Sequence, residues 1–166
     1  MAEHQKTERT RTVNWEDPRP PPEAANLSGL EFLQKIMAGE LPRPPMGILL
    51  NFVLLDLGKG RAVFTVEPAE YHYNPIGVVH GGLAATLLDS AMGCAIHSTL
   101  PAGASYTTLE IKVNYIRAMT AETGAVRCEA NVIHAGARTA TAEGRILDQA
   151  GKLYAHASTT CLIFRT

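Results

Sequence analysis

A short stretch of polar and conformationally special residues, 71–82, holds most of the groups that could do chemistry. It ends in Gly81 and Gly82 and continues directly into a long apolar segment. If a helix begins at these glycines, their N–H groups have no intrahelical partner and no side chain shields them. Such donors can polarise a carbonyl group, as in an oxyanion site. Alternatively, the two glycines only let the helix pack closely on a sheet.

Two side chains of the same stretch could act on the same carbonyl group. His80 could orient a substrate through its imidazole, or it could only hold the loop by a hydrogen bond to the backbone. Asn74 precedes Pro75, where extended backbone is favoured, and its amide could position a water molecule or stabilise an oxyanion. An Asx-turn is the other interpretation of Asn74. No chemistry is predicted for the remaining histidines, which lack ligand spacing: His4, His72, His97, His134 and His156.

A carboxylate, Asp89, interrupts the apolar segment that follows. A desolvated carboxylate must be hydrogen-bonded, face a cleft or be protonated, so Asp89 could be catalytic or could only bond to nearby backbone. It shares a helix face with small residues, which would let another backbone approach. Gly82 lies seven residues away, about 10 Å along the helix, which is too far for both to act on one carbonyl group. We therefore predict a two-fold dimer whose sites take donors from one subunit and Asp89 from the other.

The chain divides into a leader and a body, because seven of its ten prolines precede residue 46. Residues 1–27 predict a flexible proline-rich leader, in which Trp15 either docks on the body or stays exposed. Residues 28–45 predict a short helix and a proline-rich linker. Ser28 and Glu31 form a capping box there, and the helix should end near Ala38, before Gly39.

Residues 46–166 predict one α+β domain. Strand-like patterns at 47–57 and 61–67 flank a glycine turn and predict a hairpin, and 80–100 predicts an enclosed helix. Four further strands are predicted at 105–116, 124–134, 138–148 and 152–164. The short turns between them favour antiparallel neighbours, in a sheet that must curl around the helix to cover it.

Composition excludes several classes of protein. Fifteen basic and sixteen acidic residues give a net charge of −1 without charged blocks, which argues against nucleic acid as a ligand. The one long apolar segment contains Asp89 and lacks a basic flank, so no membrane span is predicted. Three cysteines more than thirty residues apart argue against a disulfide framework and a metal site. The N-terminus lacks an apolar signal, so we expect a cytoplasmic protein.

The segment from Asn74 to Gly82, with an acidic residue nine positions after His80, resembles the signature of hotdog-fold acyl-CoA thioesterases, in particular the phenylacetate-degradation (PaaI-like) branch. The resemblance covers about residues 46–164. It implies an antiparallel sheet wrapped around one long central helix, edge-to-edge homodimers and often homotetramers. It also implies hydrolysis of an acyl-CoA, aryl-acyl-CoA included, with no cofactor beyond the coenzyme A of the substrate.

The resemblance also implies residue roles. Asp89 corresponds to the catalytic carboxylate, as nucleophile or general base. Gly82, or Gly81 beside it, corresponds to the amide that polarises the thioester carbonyl. Asn74 and His80 correspond to groups that position substrate and water.

Two further positions come with alternatives. The hydroxyl that the family uses after the helix falls on Thr108, whereas simple alternation puts Thr107 on the apolar face with Leu109. A bulge in the strand would reverse that assignment. Arg138 lies in a turn and could hold a phosphate of coenzyme A, or it could be an exposed turn arginine.

Other functions are compatible with the same fold. One is a non-catalytic acyl-CoA-binding module, which would have little use for Asp89. Another is a hydratase or dehydratase, which would pair a histidine and a carboxylate across one substrate carbon. The arrangement of His80 before two glycines fits carbonyl polarisation better, so thioester hydrolysis is the predicted function.

Overall fold

A computed structural model describes residues 7–165; the first six residues of the predicted leader and residue 166 of the predicted domain lie outside it. The helices are α1 (Gly29–Ala38), α2 (Pro45–Leu49) and α3 (Gly81–His97). The strands are β1 (Phe52–Gly58), β2 (Arg61–Val66), β3 (Ala104–Tyr115), β4 (Val126–Ala135), β5 (Thr139–Leu147) and β6 (Leu153–Arg165). Single 3₁₀ turns occur at Pro22–Asn26, Glu70–His72 and Ala121–Thr123.

The six strands form one antiparallel sheet in the order β1-β2-β4-β5-β6-β3, and the sheet wraps around α3. The largest side chains of the helix are fully buried against it: Leu87, Leu88, Met92 and Ile96. Each such side chain contributes about 1.5–3 kcal/mol by leaving water. The predicted α+β hotdog architecture, an antiparallel sheet around one long central helix, is confirmed.

The position of β3 differs from the prediction that consecutive strands are neighbours. β3 pairs with β6 alone and forms one edge of the sheet, while β4 pairs with β2 and β5. The connection from β3 to β4 is long enough to cross to the other side because it contains a 3₁₀ turn as well as irregular chain. The outer side of β3 is left without a strand partner among residues 7–165, and Leu109 and Tyr115 on it are each 57% exposed.

The predicted strand at 47–57 is wrong in its first part. Residues Pro45–Leu49 form α2, because a proline at the first helical position has the right φ and needs no hydrogen bond from its nitrogen. Asn51 then takes a left-handed conformation with φ 56°, and the strand begins at Phe52.

Helix α1 forms where the capping box predicts it. Ser28 and Glu31 bond each other's backbone N–H groups, and Gly39 ends the helix with φ 75°. The helix packs on the end of α3, where Phe32 stacks on His97 with ring centroids 5.6 Å apart. No helix among residues 7–165 is long and apolar enough to cross a membrane.

Candidate active site

Helix α3 is capped by His80. Its Nδ1 accepts a hydrogen bond of 2.8 Å from the N–H of Gly82, so in the neutral ring the proton lies on Nε2. His80 is therefore compatible with both predicted roles: its Nδ1 holds the backbone of α3, and its Nε2–H has no partner among the described residues and could orient a substrate. The same bond occupies the amide of Gly82, which the sequence predicted as the carbonyl donor.

The amide of Gly81, unlike that of Gly82, is available to bind a carbonyl oxygen. As the first residue of α3 it has no intrahelical acceptor, and it has no hydrogen-bond partner in the part of the chain that the structure describes. A Cβ at Gly81 would lie 3.2 Å from the ring of Tyr115, and the hydroxyl of Tyr115 donates to the Gly81 carbonyl oxygen at 3.2 Å. Glycine thus lets Tyr115 approach while its own N–H stays open.

Asn74 shapes the loop before the helix. Its Oδ1 accepts from the N–H of Ile76 at 3.1 Å and of Val78 at 3.3 Å, as in an Asx-turn. Gly77, with φ 81°, closes the loop onto the Asn74 carbonyl oxygen. With Oδ1 engaged, the Asn74 NH₂ group keeps its donors, which have no partner among the described residues. The turn therefore orients the amide that could position water.

Asp89 accepts a hydrogen bond of 2.9 Å from the hydroxyl of Thr108. This contact depends on a bulge in β3, between Thr108 and Glu110, which shifts the strand by one residue. The bulge is held by Thr159, whose hydroxyl donates to the Glu110 carbonyl oxygen at 2.7 Å. As a result Thr108 faces Asp89, and Leu109, expected on the apolar face, is exposed.

β3 runs antiparallel to α3, with Tyr115 beside Gly81 at one end and Thr108 beside Asp89 further along. Gly81 and Asp89 are eight residues apart, about 12 Å along the helix axis. One chain therefore carries the two halves of the predicted site without joining them.

One side of α3 is not covered by the sheet. Its residues are small or polar and remain at least partly accessible: Gly82, Ala85, Thr86, Asp89 and Ser90. The small residues predicted around Asp89 therefore lie on the face of the helix that the chain's own sheet leaves uncovered. A second backbone could approach closely here, because no large side chain intervenes.

A cleft of about 310 Å³ opens beside Gly81, and its lining includes Tyr115, Arg117, Met119 and Tyr154. Tyr115 and Arg117 were not predicted. Their one sequence signal is position, since Tyr115 ends the strand that follows the helix and Arg117 comes two residues later. Arg117 donates to the carbonyl oxygen of Leu153, and it places a cation at the cleft.

Arg138 lies elsewhere, in the exposed turn before β5. Its carbonyl oxygen accepts from the N–H of Ile163, which is paired with Tyr106 in β3. Two strand spacings, about 10 Å, separate Arg138 from Tyr106, so it lies on the Asp89 half of the chain.

The cysteine thiols are separate from one another, and the potential metal-ligating side chains are dispersed, among the described residues. Cys94, Cys128 and Cys161 are free, and burial raises the pKa of the Cys94 thiol to about 12, so it stays protonated. Within 7–165, no three His, Cys, Asp or Glu side chains are grouped as a metal ion would require.

Comparison with known proteins identifies the family. Residues 76–155 match the thioesterase superfamily. A putative esterase of Saccharolobus solfataricus is 31% identical over 117 residues, which cover 70% of this chain and 81% of that protein. The chain belongs to the thioesterase superfamily. A 1,4-dihydroxy-2-naphthoyl-CoA hydrolase of Listeria monocytogenes is 29% identical over 104 residues, 63% of this chain and 83% of the relative.

The fold is also similar to that of a solved thioesterase structure. The crystal structure of a putative thioesterase from Ralstonia eutropha, described as phenylacetic acid degradation-related, aligns with a TM-score of 0.71 and 28% identity. The alignment covers 78% of this chain and 98% of that one. This thioesterase is therefore a PaaI-like hydrolase, and the family match contains Gly81, Asp89 and Thr108. The leader, α1 and α2 all precede the matched residues.

Proposed function

We propose that this thioesterase hydrolyses acyl-CoA thioesters at a site shared by two copies of the chain. The Gly81 N–H of one copy polarises the thioester carbonyl, and Asp89 of the partner subunit supplies the carboxylate. The observation that carries the proposal is the open Gly81 amide on the same helix as an Asp89 held by Thr108, too far apart to meet within one chain.

The surfaces of the single chain support a two-fold pair. Within residues 7–165, the outer edge of β3 has no strand partner and carries exposed apolar side chains, and the uncovered face of α3 carries small residues beside Asp89. Pairing two β3 edges about a two-fold axis would extend the sheet across both chains. It would also set the two α3 helices antiparallel, which brings the start of one helix towards Asp89 of the other.

The chemistry follows from the N–H donor at Gly81 and the carboxylate of Asp89. At the helix start, the Gly81 N–H and the helix dipole stabilise negative charge on the carbonyl oxygen as the carbon becomes tetrahedral. Asp89 either removes a proton from an attacking water or attacks the carbon itself, giving an anhydride that water then hydrolyses. Either route breaks the C–S bond and yields a free acid and the coenzyme A thiol. Asn74 and the His80 Nε2–H position the water and the carbonyl group.

The substrate class follows from the relatives and the cations. Two of the relatives are named for a naphthoyl-CoA and for phenylacetic acid degradation, which makes aryl-acyl-CoA thioesters the first substrates to test. Coenzyme A carries phosphates, for which Arg117 at the cleft and Arg138 of the other half are candidate partners.

Thiol release from a panel of aryl- and straight-chain acyl-CoAs tests the proposal. Asp89→Asn nearly conserves shape and removes the charge, so we expect kcat to fall about 10²- to 10⁴-fold with little change in KM. Asp56→Asn, at an exposed carboxylate paired with Arg61, is the matched control and should keep full activity. Hydrolysis by Asp89→Asn at the rate of the unmodified enzyme would refute the mechanism.

Subunit mixing tests the shared site. Asp89→Asn and His80→Asn each inactivate a different half, so a mixed dimer regenerates one intact site. After exchange at equal concentrations, we expect about a quarter of the unmodified activity, because half of the dimers are mixed and each has one working site. If each chain held a complete site, mixing would restore nothing.

A further inference from the structure

The leader contacts the body through Arg11. Its Nη2 donates to the carbonyl oxygen of Ile48 at 3.0 Å and its Nη1 to that of Leu49, so one guanidinium covers two carbonyl groups at the end of α2. The same guanidinium lies over the ring of Tyr71, 4.2 Å from its centroid. Arg11 therefore joins the leader, α2 and the loop that leads to Asn74.

A second arginine strengthens this contact. Arg9 forms an ion pair of 2.8 Å with Glu70, the residue before Tyr71. We call Arg9 and Arg11 on residues 70–71 the arginine clamp. Both arginines lie in a segment that the family match leaves out, because the match begins at residue 76.

Tyr71 in turn contacts His72. The two rings lie with centroids 4.2 Å apart. His72 is buried, its Nδ1 accepts from the Ala69 N–H at 3.0 Å, and its Nε2 bonds to the Leu50 carbonyl oxygen at 3.0 Å. Arg11, Tyr71 and His72 thus form one continuous series of contacts, in which the two rings are tilted by 59°, and both Arg11 and His72 are bonded to the backbone around α2.

His72, at the end of this series of contacts, is bonded to the residue that caps α3. The carbonyl oxygen of His72 accepts a hydrogen bond of 2.8 Å from the N–H of His80, the residue that caps α3. Asn74 follows two residues after His72, in the loop closed by its own side chain. A shift of His72 would therefore move both the imidazole of His80 and the amide of Asn74.

We propose that Arg11 is a positioning residue, which holds His80 and Asn74 in register with the thioester through Tyr71 and His72. The role rests on the proposed function, since it is the hydrolysis that needs this register. Arginine fits the task because its planar fork reaches two carbonyl groups and stacks on a ring at once, which a lysine cannot do. Because the contacts of Arg11 are exposed, we expect their removal to change the geometry of the loop more than the free energy of unfolding.

Arg11→Gln tests the role with Arg19→Gln as the matched control. Arg19 is a leader arginine whose guanidinium bonds to Asp17 within the leader. We expect Arg11→Gln to lower kcat about 3- to 10-fold with KM changed less than about twofold, because misplaced groups cost turnover. Arg11→Lys should fall between, and Arg19→Gln should match the unmodified enzyme. Equal kcat in Arg11→Gln and Arg19→Gln would overturn the proposal.

Hydrogen exchange gives a readout that does not require hydrolysis. The amides of Asn74, Val78 and His80 should exchange about fivefold faster or more in Arg11→Gln, while those of β4 and β5 stay unchanged. Unchanged exchange in the loop would overturn the clamp even where the enzyme is active. If the unmodified chain releases no thiol from any substrate, the proposed function fails, and exchange still decides whether the clamp holds the loop. Faster exchange with unchanged kcat would overturn the positioning role.

Discussion

The hydroxyl of Thr108 donates to Oδ1 of Asp89 at 2.9 Å, across the gap between an edge strand and the central helix. The bond fixes one carboxylate oxygen, and the other has no hydrogen-bond partner in the part of the chain that the structure describes. It also ties Asp89 to the edge strand β3, whose outer side has no strand partner among residues 7–165. Thr108 thereby orients the Asp89 carboxylate within the single chain.

Thr108→Val should lower kcat about 10- to 100-fold, since a hydrogen bond to a charged group is lost without a change of shape. Thr108→Ser keeps the hydroxyl and should retain most of the activity. Thr107→Val is the matched control, because Thr107 is exposed on the opposite side of the strand. Steady-state thiol release measures all three, and an effect of Thr107→Val equal to that of Thr108→Val would argue against the assignment.

His80→Asn separates capping from catalysis. Asparagine is a good N-cap, so this variant should keep the melting temperature while losing the imidazole donor and most of kcat. His80→Ala loses both, and should unfold with about 1 kcal/mol less free energy as well. Thermal unfolding and thiol release on the same samples measure the two effects. Full activity in His80→Asn would show that the imidazole only caps the helix.

The local patterns were sufficient to predict α3 and its carboxylate. The capping histidine, the glycines and the apolar residues around Asp89 are all close in sequence, and the structure has the helix where they indicate. Ser28 and Glu31 likewise predict α1 because a capping box spans only three residues.

The remaining features depend on distant partners. The bulge that turns Thr108 towards Asp89 is held by Thr159, which lies 49 residues beyond its partner Glu110, so simple alternation could not show it. Which glycine amide is open depends on where the His80 side chain lies, and residue types do not specify that. The edge position of β3 follows from its pairing with β6, the last strand, which no local turn signal reveals.

Gly93, one turn of α3 beyond Asp89, leaves the space that the side chain of Tyr106 occupies. A Cβ at position 93 would lie 2.4 Å from the Tyr106 hydroxyl oxygen and 3.1 Å from the ring. Gly93→Ala should therefore destabilise the fold by about 1–3 kcal/mol, and Tyr106→Phe should relieve part of that cost by removing the oxygen. Urea unfolding of both single variants and the double variant measures the coupling. Strictly additive effects would show that the two residues do not constrain each other.

Stability should fall as the pH drops below about 6.5, through His72. Burial lowers the pKa of His72, its bond to the Leu50 carbonyl oxygen opposes this, and the nearby Arg11 cation lowers the pKa further. The folded chain therefore binds a proton less readily than the unfolded chain. The stabilisation is complete above the unfolded pKa and is lost as the pH falls from there through the lower folded pKa.

Other groups contribute to the change of stability over the same pH range. A variant at His72 separates its contribution from theirs. Burial also lowers the pKa of His97, which adds loss in the same direction. His72→Gln should melt at a lower temperature at neutral pH, because the Ala69 N–H and the Leu50 carbonyl oxygen lose their partner, but its melting temperature should depend less on pH between 7 and 5. His134→Gln, at an exposed histidine of β4, should keep the full dependence. An equally steep pH profile in His72→Gln would assign the effect to other groups.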